Sequence, residues 1–213
     1  MVDLAAPGFR GLGRAAPGPR TAGAGHRRRR HEEKIRAGIA GEDLVAAELG
    51  RALGDDWTLL RGYRNQRGEI DHLLVGPEGL FAIEVKNINA TVHIDGDRWQ
   101  ADKYDNYGNL VEQRPIEDRR GRSPSEQLNQ PADELERFLH KHGQPVNVER
   151  VVVLTHRRSR LGSSQDPTVH VGTSTGGVLR LVRSSADDLA ERQRAEVQRL
   201  IQRDHNFHER RRR

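Results

Sequence analysis

Cysteine is absent from this chain of 213 residues, which removes disulfides, thiolate zinc sites and cysteine nucleophiles together. No apolar run approaches the roughly 18 residues that a membrane-spanning helix needs. The N-terminus, rich in Arg and Gly, has no apolar stretch of the secretory kind. A cytoplasmic protein with no membrane partner is therefore expected. Aromatic residues amount to 4% and hydrophobic residues to 34%, so the core is expected to be modest and mostly aliphatic. No internal repeat is visible.

Charge is plentiful but unevenly placed. Residues 1–30 hold seven Arg against one Asp, and residues 203–213 hold five Arg against two acids. With a formal total of +5, the segment 31–202 is left at −4. The basicity belongs to the ends, not to a binding face. Two readings stay open: cationic arms that touch phosphates without sequence preference, or solubilising segments with no partner. Residues 1–30, aperiodic and made of Gly, Pro, Ala and Arg, are expected to form a disordered arm. A single folded domain is expected over 31–203, followed by a basic tail over 204–213.

The most informative stretch is RGEIDHLLVGPEGLFAIEVK, residues 67–86. Gly76-Pro77-Glu78-Gly79 suits a tight turn, with Pro second and Gly fourth. Whether the loop has two residues or four, Val75 meets Leu80, Leu73 meets Ala82, Asp71 meets Glu84 and Glu69 meets Lys86 on one face. The other face carries Leu74 with Phe81, His72 with Ile83, and Ile70 with Val85. Strands apolar on both faces are buried on both. The far end of one face is ionic, and two carboxylates directly opposed destabilise a sheet. A divalent cation is the simplest compensation, since Mg²⁺ is commonly held by one or two carboxylates plus waters and phosphate oxygens. Lys86, on the same side as Glu84, is placed to orient water or neutralise a phosphate. The plainer alternative is a Glu69–Lys86 ion pair edged by Asp71 and Glu84.

Upstream, Ile35, Ile39, Glu42, Ala46, Leu49 and Leu53 share a helical stripe. An acid on a buried stripe calls for a partner, which makes Glu42 a candidate third contact. Alternatively Gly38 and Gly41 break the helix, and Glu42 sits in a first turn facing the helix dipole. A strand is expected over 57–65 and a turn at Asp95-Gly96. Residues 101–122 form a weakly patterned excursion with a short strand near Leu110-Val111. Ser123-Pro124-Ser125-Glu126 starts a helix that runs to about Lys141, with Pro131 kinking or splitting it. Gln127, in its first turn, can reach a metal-bound water or a phosphate; a solvated helix residue is the bland reading. VERVVVLT, 148–155, reads as a buried central strand. Edge strands are expected at 168–171 and 178–182, and a last helix from Ser184 or Ser185 to about Gln202. Gly172-Thr173-Ser174-Thr175-Gly176 matches a nucleophile elbow, but VLRLV after it reads as strand and only about 30 residues remain before the tail for the Asp and His partners the motif needs. His205 with His208, and His140 with His142, lack a third ligand, and His72 reads as a hydrogen-bonded core residue.

Asp71 followed by Glu84-Val85-Lys86 resembles the D…(D/E)xK signature of the restriction-endonuclease-like superfamily. The string IDHLLVGPEGLFAIEVKN, with Gly41-Glu42 before it and Pro124-x-x-Gln127 after it, is similar to the nuclease-related (NERD) domain over about residues 38–155. Holliday-junction-resolvase-like nucleases share GEID…EVK. The GPEG turn, Trp99 and Gln127 favour the nuclease-related family, whereas Asn89-Ala90 departs from its small-Gly step. The resemblance implies an α/β fold with a central mixed sheet flanked by helices. It also implies metal-dependent phosphodiester cleavage and a nucleic-acid substrate, DNA. Asp71, Glu84 and Glu42 are then the ligands of Mg²⁺ or Mn²⁺, Lys86 organises the water and Gln127 supports it. The competing expectation is a non-catalytic nucleic-acid-binding or protein-interaction module on the same fold.

Overall fold

A computed structural model describes residues 22–211. Most of the expected arm, residues 1–21, and the final two residues of the tail lie outside the described residues. The elements in chain order are α1 (Ala22–Ala52), β1 (Thr58–Arg64), β2 (Glu69–Gly76), β3 (Gly79–Lys86), β4 (Thr91–Asp95), β5 (Arg98–Tyr104) and β6 (Leu110–Pro115). There follow α2 (Pro124–Lys141), β7 (Val148–Leu154), β8 (Arg160–Gln165), β9 (His170–Gly172), α3 (Thr175–Ser184) and α4 (Glu191–Arg210). The described residues up to Ile35 cluster as a unit of their own, and those from Arg36 onward make up the body. The helix thus begins at Ala22, ahead of the expected boundary at His31, and α4 runs through most of the expected tail.

The hairpin organises the body. Gly76 pairs with Gly79, so the loop is Pro77-Glu78, and Val75↔Leu80, Leu74↔Phe81, Leu73↔Ala82 and His72↔Ile83 follow in register. Gly76 is required: a Cβ there would stand 2.2 Å from the Trp57 ring. β1 joins β2 antiparallel, while β7 and then β9 extend β3 in parallel, giving the order β1-β2-β3-β7-β9. Leu128, Leu135 and Leu139 of α2 and Leu200 and Ile201 of α4 bury one face against Leu73, Val75, Ala82 and Val152. Val45 and Leu49 of α1 and Val178 and Val182 of α3 bury the other against Leu74, Phe81, Ile83 and Val151. Helices on both faces are what strands apolar on both sides demand. The expected fold class, a central mixed sheet flanked by helices, is the one observed.

At one step the alternation slips. Leu60 and Tyr63 of β1 face the same core, as do Ile70 and Leu73 of β2, although a separation of three should place them on opposite faces. The step falls at Gly62, whose φ is +66°, a conformation glycine adopts at little cost. Asp71 lies opposite it in the register. Ile70 therefore joins Tyr63 on the α2 side and does not pair with Val85.

Several expectations are corrected. The excursion over 101–122 builds much of a second sheet, ordered β6-β5-β4-β8, which buries Val92, Ile94, Trp99 and Ala101 in the α2-side core. Residues 178–182 are helix, not an edge strand, and the last helix starts at Glu191. The elbow-like Gly172–Gly176 does lead into a helix, yet among the described residues Ser174 has no side-chain cap bond and no His or acid partner. Pro131 is buried within an undivided α2, where its carbonyl accepts from Asn65 Nδ2 at 2.8 Å. In α1 the buried positions are Gly41, Val45 and Leu49, while Ile35 and Ile39 are half exposed. The helix runs unbroken through both glycines.

Candidate active site

Past His72↔Ile83 the β2–β3 ladder stops. The expected pairs Asp71–Glu84 and Glu69–Lys86 do not form. The slip at Gly62 turns Asp71 sideways, and its Oδ2 accepts the Val85 N–H at 2.8 Å, in place of a backbone rung. Glu69 is ion-paired with Arg64. Lys86 turns to Glu84 Oε1 at 2.5 Å and to Gln127 Oε1 at 3.0 Å.

Glu84 is the unusual group. It sits in the middle of the sheet, 6% exposed. Burial pushes its carboxyl up to about 7; the ammonium of Lys86 opposes the rise, while the charges of Asp71 and Glu42 add to it. Asp71 is also raised by burial, with the Val85 N–H and Lys86 working against it. Glu42 is raised by burial and then by the charge of Asp71. These carboxylates feel one another, although they are not ladder partners.

Gln127 is placed by α2. The helix opens with the expected capping box, in which Ser123 Oγ accepts from Glu126 N and Glu126 Oε2 accepts from Ser123 N. Trp99 Nε1 of the second sheet donates to Ser125 Oγ at 2.8 Å and pins that end. Gln127 Nε2 donates to the Arg122 carbonyl at 2.8 Å, which leaves Oε1 for Lys86. Its amide thus holds the lysine.

Gly41 explains how α1 comes so near. A Cβ on it would lie 2.7 Å from Thr155 Oγ1 and 3.4 Å from Val85, so only glycine lets the helix settle on the ends of β3 and β7. The next residue is Glu42. His72, fully buried, donates through Nε2 to the Glu42 carbonyl at 3.2 Å and ties β2 to α1 beside Asp71. Burial lowers its pKa to about 4, so it is neutral near pH 7 and acts as a tether. Because the folded pKa lies below the ordinary 6.5, the unfolded chain binds the proton first. The tether's contribution is complete above pH 6.5 and is lost as pH falls toward 4. Urea denaturation of His72→Gln against the native chain, at pH 7 and near pH 4, should show that the variant lacks an acid loss on the order of 3 kcal/mol. Parallel pH dependences in the two proteins would contradict this assignment.

The donor set suits a hard cation: all candidate ligands are carboxylate oxygens. Lys86 engages one oxygen of Glu84 and Val85 engages one of Asp71, leaving a second oxygen on each. Among the described residues no group of three or more His, Asp or Glu forms a metal-holding cluster, so Glu42 is a neighbour and not part of a ready-made three-carboxylate set. Two protein carboxylates are nonetheless a sufficient anchor for Mg²⁺. His205 accepts from Arg64 N and His142 contacts the Phe138 carbonyl, consistent with structural histidines. A cavity of about 840 Å³ lies along the second sheet, by His93, Trp99 and Gln165.

Comparison with known proteins adds one finding. No curated protein and no solved structure matches the chain. A family model described as the nuclease-related domain, NERD, matches residues 37–155. Gly41-Glu42, the Asp71–Lys86 hairpin and Gln127 all fall inside that match, which spans more than half of the 213 residues, and the chain accordingly belongs to the nuclease-related domain family.

Proposed function

We propose that this protein is a metal-dependent nuclease that hydrolyses phosphodiester bonds in DNA at the Asp71–Glu84–Lys86 centre. The observation that carries the reading is Glu84. A carboxyl buried in mid-sheet and held near pKa 7 is costly unless a cation meets it. Lys86 meets one oxygen, and the other remains for a metal. Asp71 and Glu84 would hold Mg²⁺ or Mn²⁺, with Glu42 at the rim. When bound, the ion would polarise the phosphoryl oxygen and acidify a water.

The chain's own groups supply the rest. The Val85 N–H fixes the Asp71 carboxylate, so one oxygen keeps its direction whatever arrives at the other. Glu84 and Gln127 hold Lys86 Nζ between them, limiting its motion and aiming a positive charge where negative charge builds on the phosphate. Gln127 is itself held through Arg122, whose guanidinium is bound twice to Asp118. Such fixed groups lose little reorganisation energy during reaction.

The test is cleavage of linear, nicked, branched and single-stranded DNA by the full chain with Mg²⁺ or Mn²⁺, and with EDTA. Cleavage that requires the metal and ceases on chelation supports the assignment. Absence of cleavage across this panel refutes it.

A further inference from the structure

The turn that leaves β7 reads His156-Arg157-Arg158-Ser159-Arg160. It begins where the proposed centre ends: Leu154 pairs with Lys86, and Thr155 N donates to the Lys86 carbonyl at 3.0 Å. The turn does not swing freely. Buried Ser159 donates to the Ile88 carbonyl, Arg160 N to Ala90 at 3.2 Å, and Ser159 N closes the turn onto His156 at 2.8 Å. It is laced to the segment that follows Lys86.

Arg157, Arg158 and Arg160 are exposed. Arg61, Arg64, Arg122, Arg150 and Arg194 each hold a carboxylate. The three arginines of the turn hold none among the described residues; Arg160 Nη1 instead meets the carbonyls of Arg157 and Ser159. In a segment whose net charge over 31–202 is −4, the turn's backbone is braced while these cations remain exposed and without a carboxylate among the described residues. A solvated turn would not need this bracing.

We propose that Arg157, Arg158 and Arg160 grip the sugar–phosphate backbone of the nucleic acid next to the bond presented to Lys86. The contact is sequence-independent and contributes affinity and register rather than chemistry. This inference rests on the nuclease reading for its substrate class but can be separated from it experimentally. Guanidinium groups suit phosphate through paired N–H donors, and each phosphate contact contributes about 0.9 to the salt slope of binding.

The experiment compares the full chain with Arg157→Gln/Arg158→Gln/Arg160→Gln. A charge-matched control, Arg137→Gln/Lys141→Gln/Arg192→Gln, removes cations near the other end of the strands. The segment leading into α4 is tied to that end by Leu189 N donating to the Pro77 carbonyl at 2.7 Å. Binding to labelled duplex DNA is followed by anisotropy in EDTA over a KCl series. The slope of log Kd against log salt should fall by about 2 to 3 in the turn variant, with affinity at low salt down ten- to a hundredfold. The control should follow the native protein. With Mg²⁺, the turn variant's KM should rise while kcat stays within twofold. Equal slopes in native and turn-variant protein overturn the inference, as does an equal loss in the control or no DNA binding by the native chain. Binding lost by the turn variant of a protein that never cleaves would sustain the grip and refute the nuclease.

Discussion

Lys86→Ala is expected to lower metal-dependent DNA cleavage by about two to three orders of magnitude, the scale of losing one fixed charge-stabilising group. The structure gives the loss two routes. The ammonium at 2.5 Å from Glu84 and 3.0 Å from Gln127 disappears from the place where phosphate charge develops. Its removal also takes away the charge that opposes the rise of the Glu84 carboxyl to about 7. The acid then stays protonated to higher pH and competes poorly for Mg²⁺. The second route predicts a signature: raising pH or Mg²⁺ should recover part of the Lys86→Ala deficit. It should recover none in Glu84→Gln, which cannot ionise. Folding should survive, because an uncompensated buried carboxyl can neutralise itself by taking a proton. Gln127→Ala, which only frees the lysine, should cost about tenfold. Equal kcat in native and Lys86→Ala protein would remove Lys86 from the chemistry.

Gly76→Val should produce the largest loss of stability. The added Cβ would meet the Trp57 ring at 2.2 Å, and that ring is packed on Phe81 with centroids 6.0 Å apart. Neither a ring nor a two-residue turn yields easily, so the change should cost about 3 kcal/mol, the upper range for overpacking and a large part of a domain's usual margin. Trp57→Leu in the same chain should recover part of it, giving a non-additive cycle by chemical denaturation. Additive losses would mean that the collision is relieved some other way.

The parts of the fold that were legible in the sequence share a cause. The Gly76–Gly79 turn fixes one register, and the apolar pairs from Val75↔Leu80 to His72↔Ile83 then follow by counting. Counting failed at Asp71 because Gly62, an isolated glycine in a strand, let the alternation slip. Such a glycine is itself a bulge signal, and it was the available warning. Asp71 and Glu84 do not face each other as counting predicted: Asp71 meets the third strand through its side chain, on the Val85 N–H. Strands β6 and β8 are exposed along their whole length, so neither shows the alternation that marks a half-buried strand. VLRLV fits both periods over five residues, and the burial of Val178 and Val182 shows which one packing chose. The 156–160 turn drew no notice in the sequence, because its place beside Lys86 depends on the parallel β3–β7 register, which no local pattern encodes.

That parallel register also governs when the molecule becomes competent. Joining Lys86 to Leu154 requires β4 to β6, α2 and β7 to have been synthesised first, and contacts of such separation form late and slowly. A nascent chain can close its β2–β3 hairpin early, but the lysine's amide support and the arginine turn arrive only with later synthesis. Truncated products of interrupted translation would accordingly hold the acids without the lysine support and the arginine turn around them.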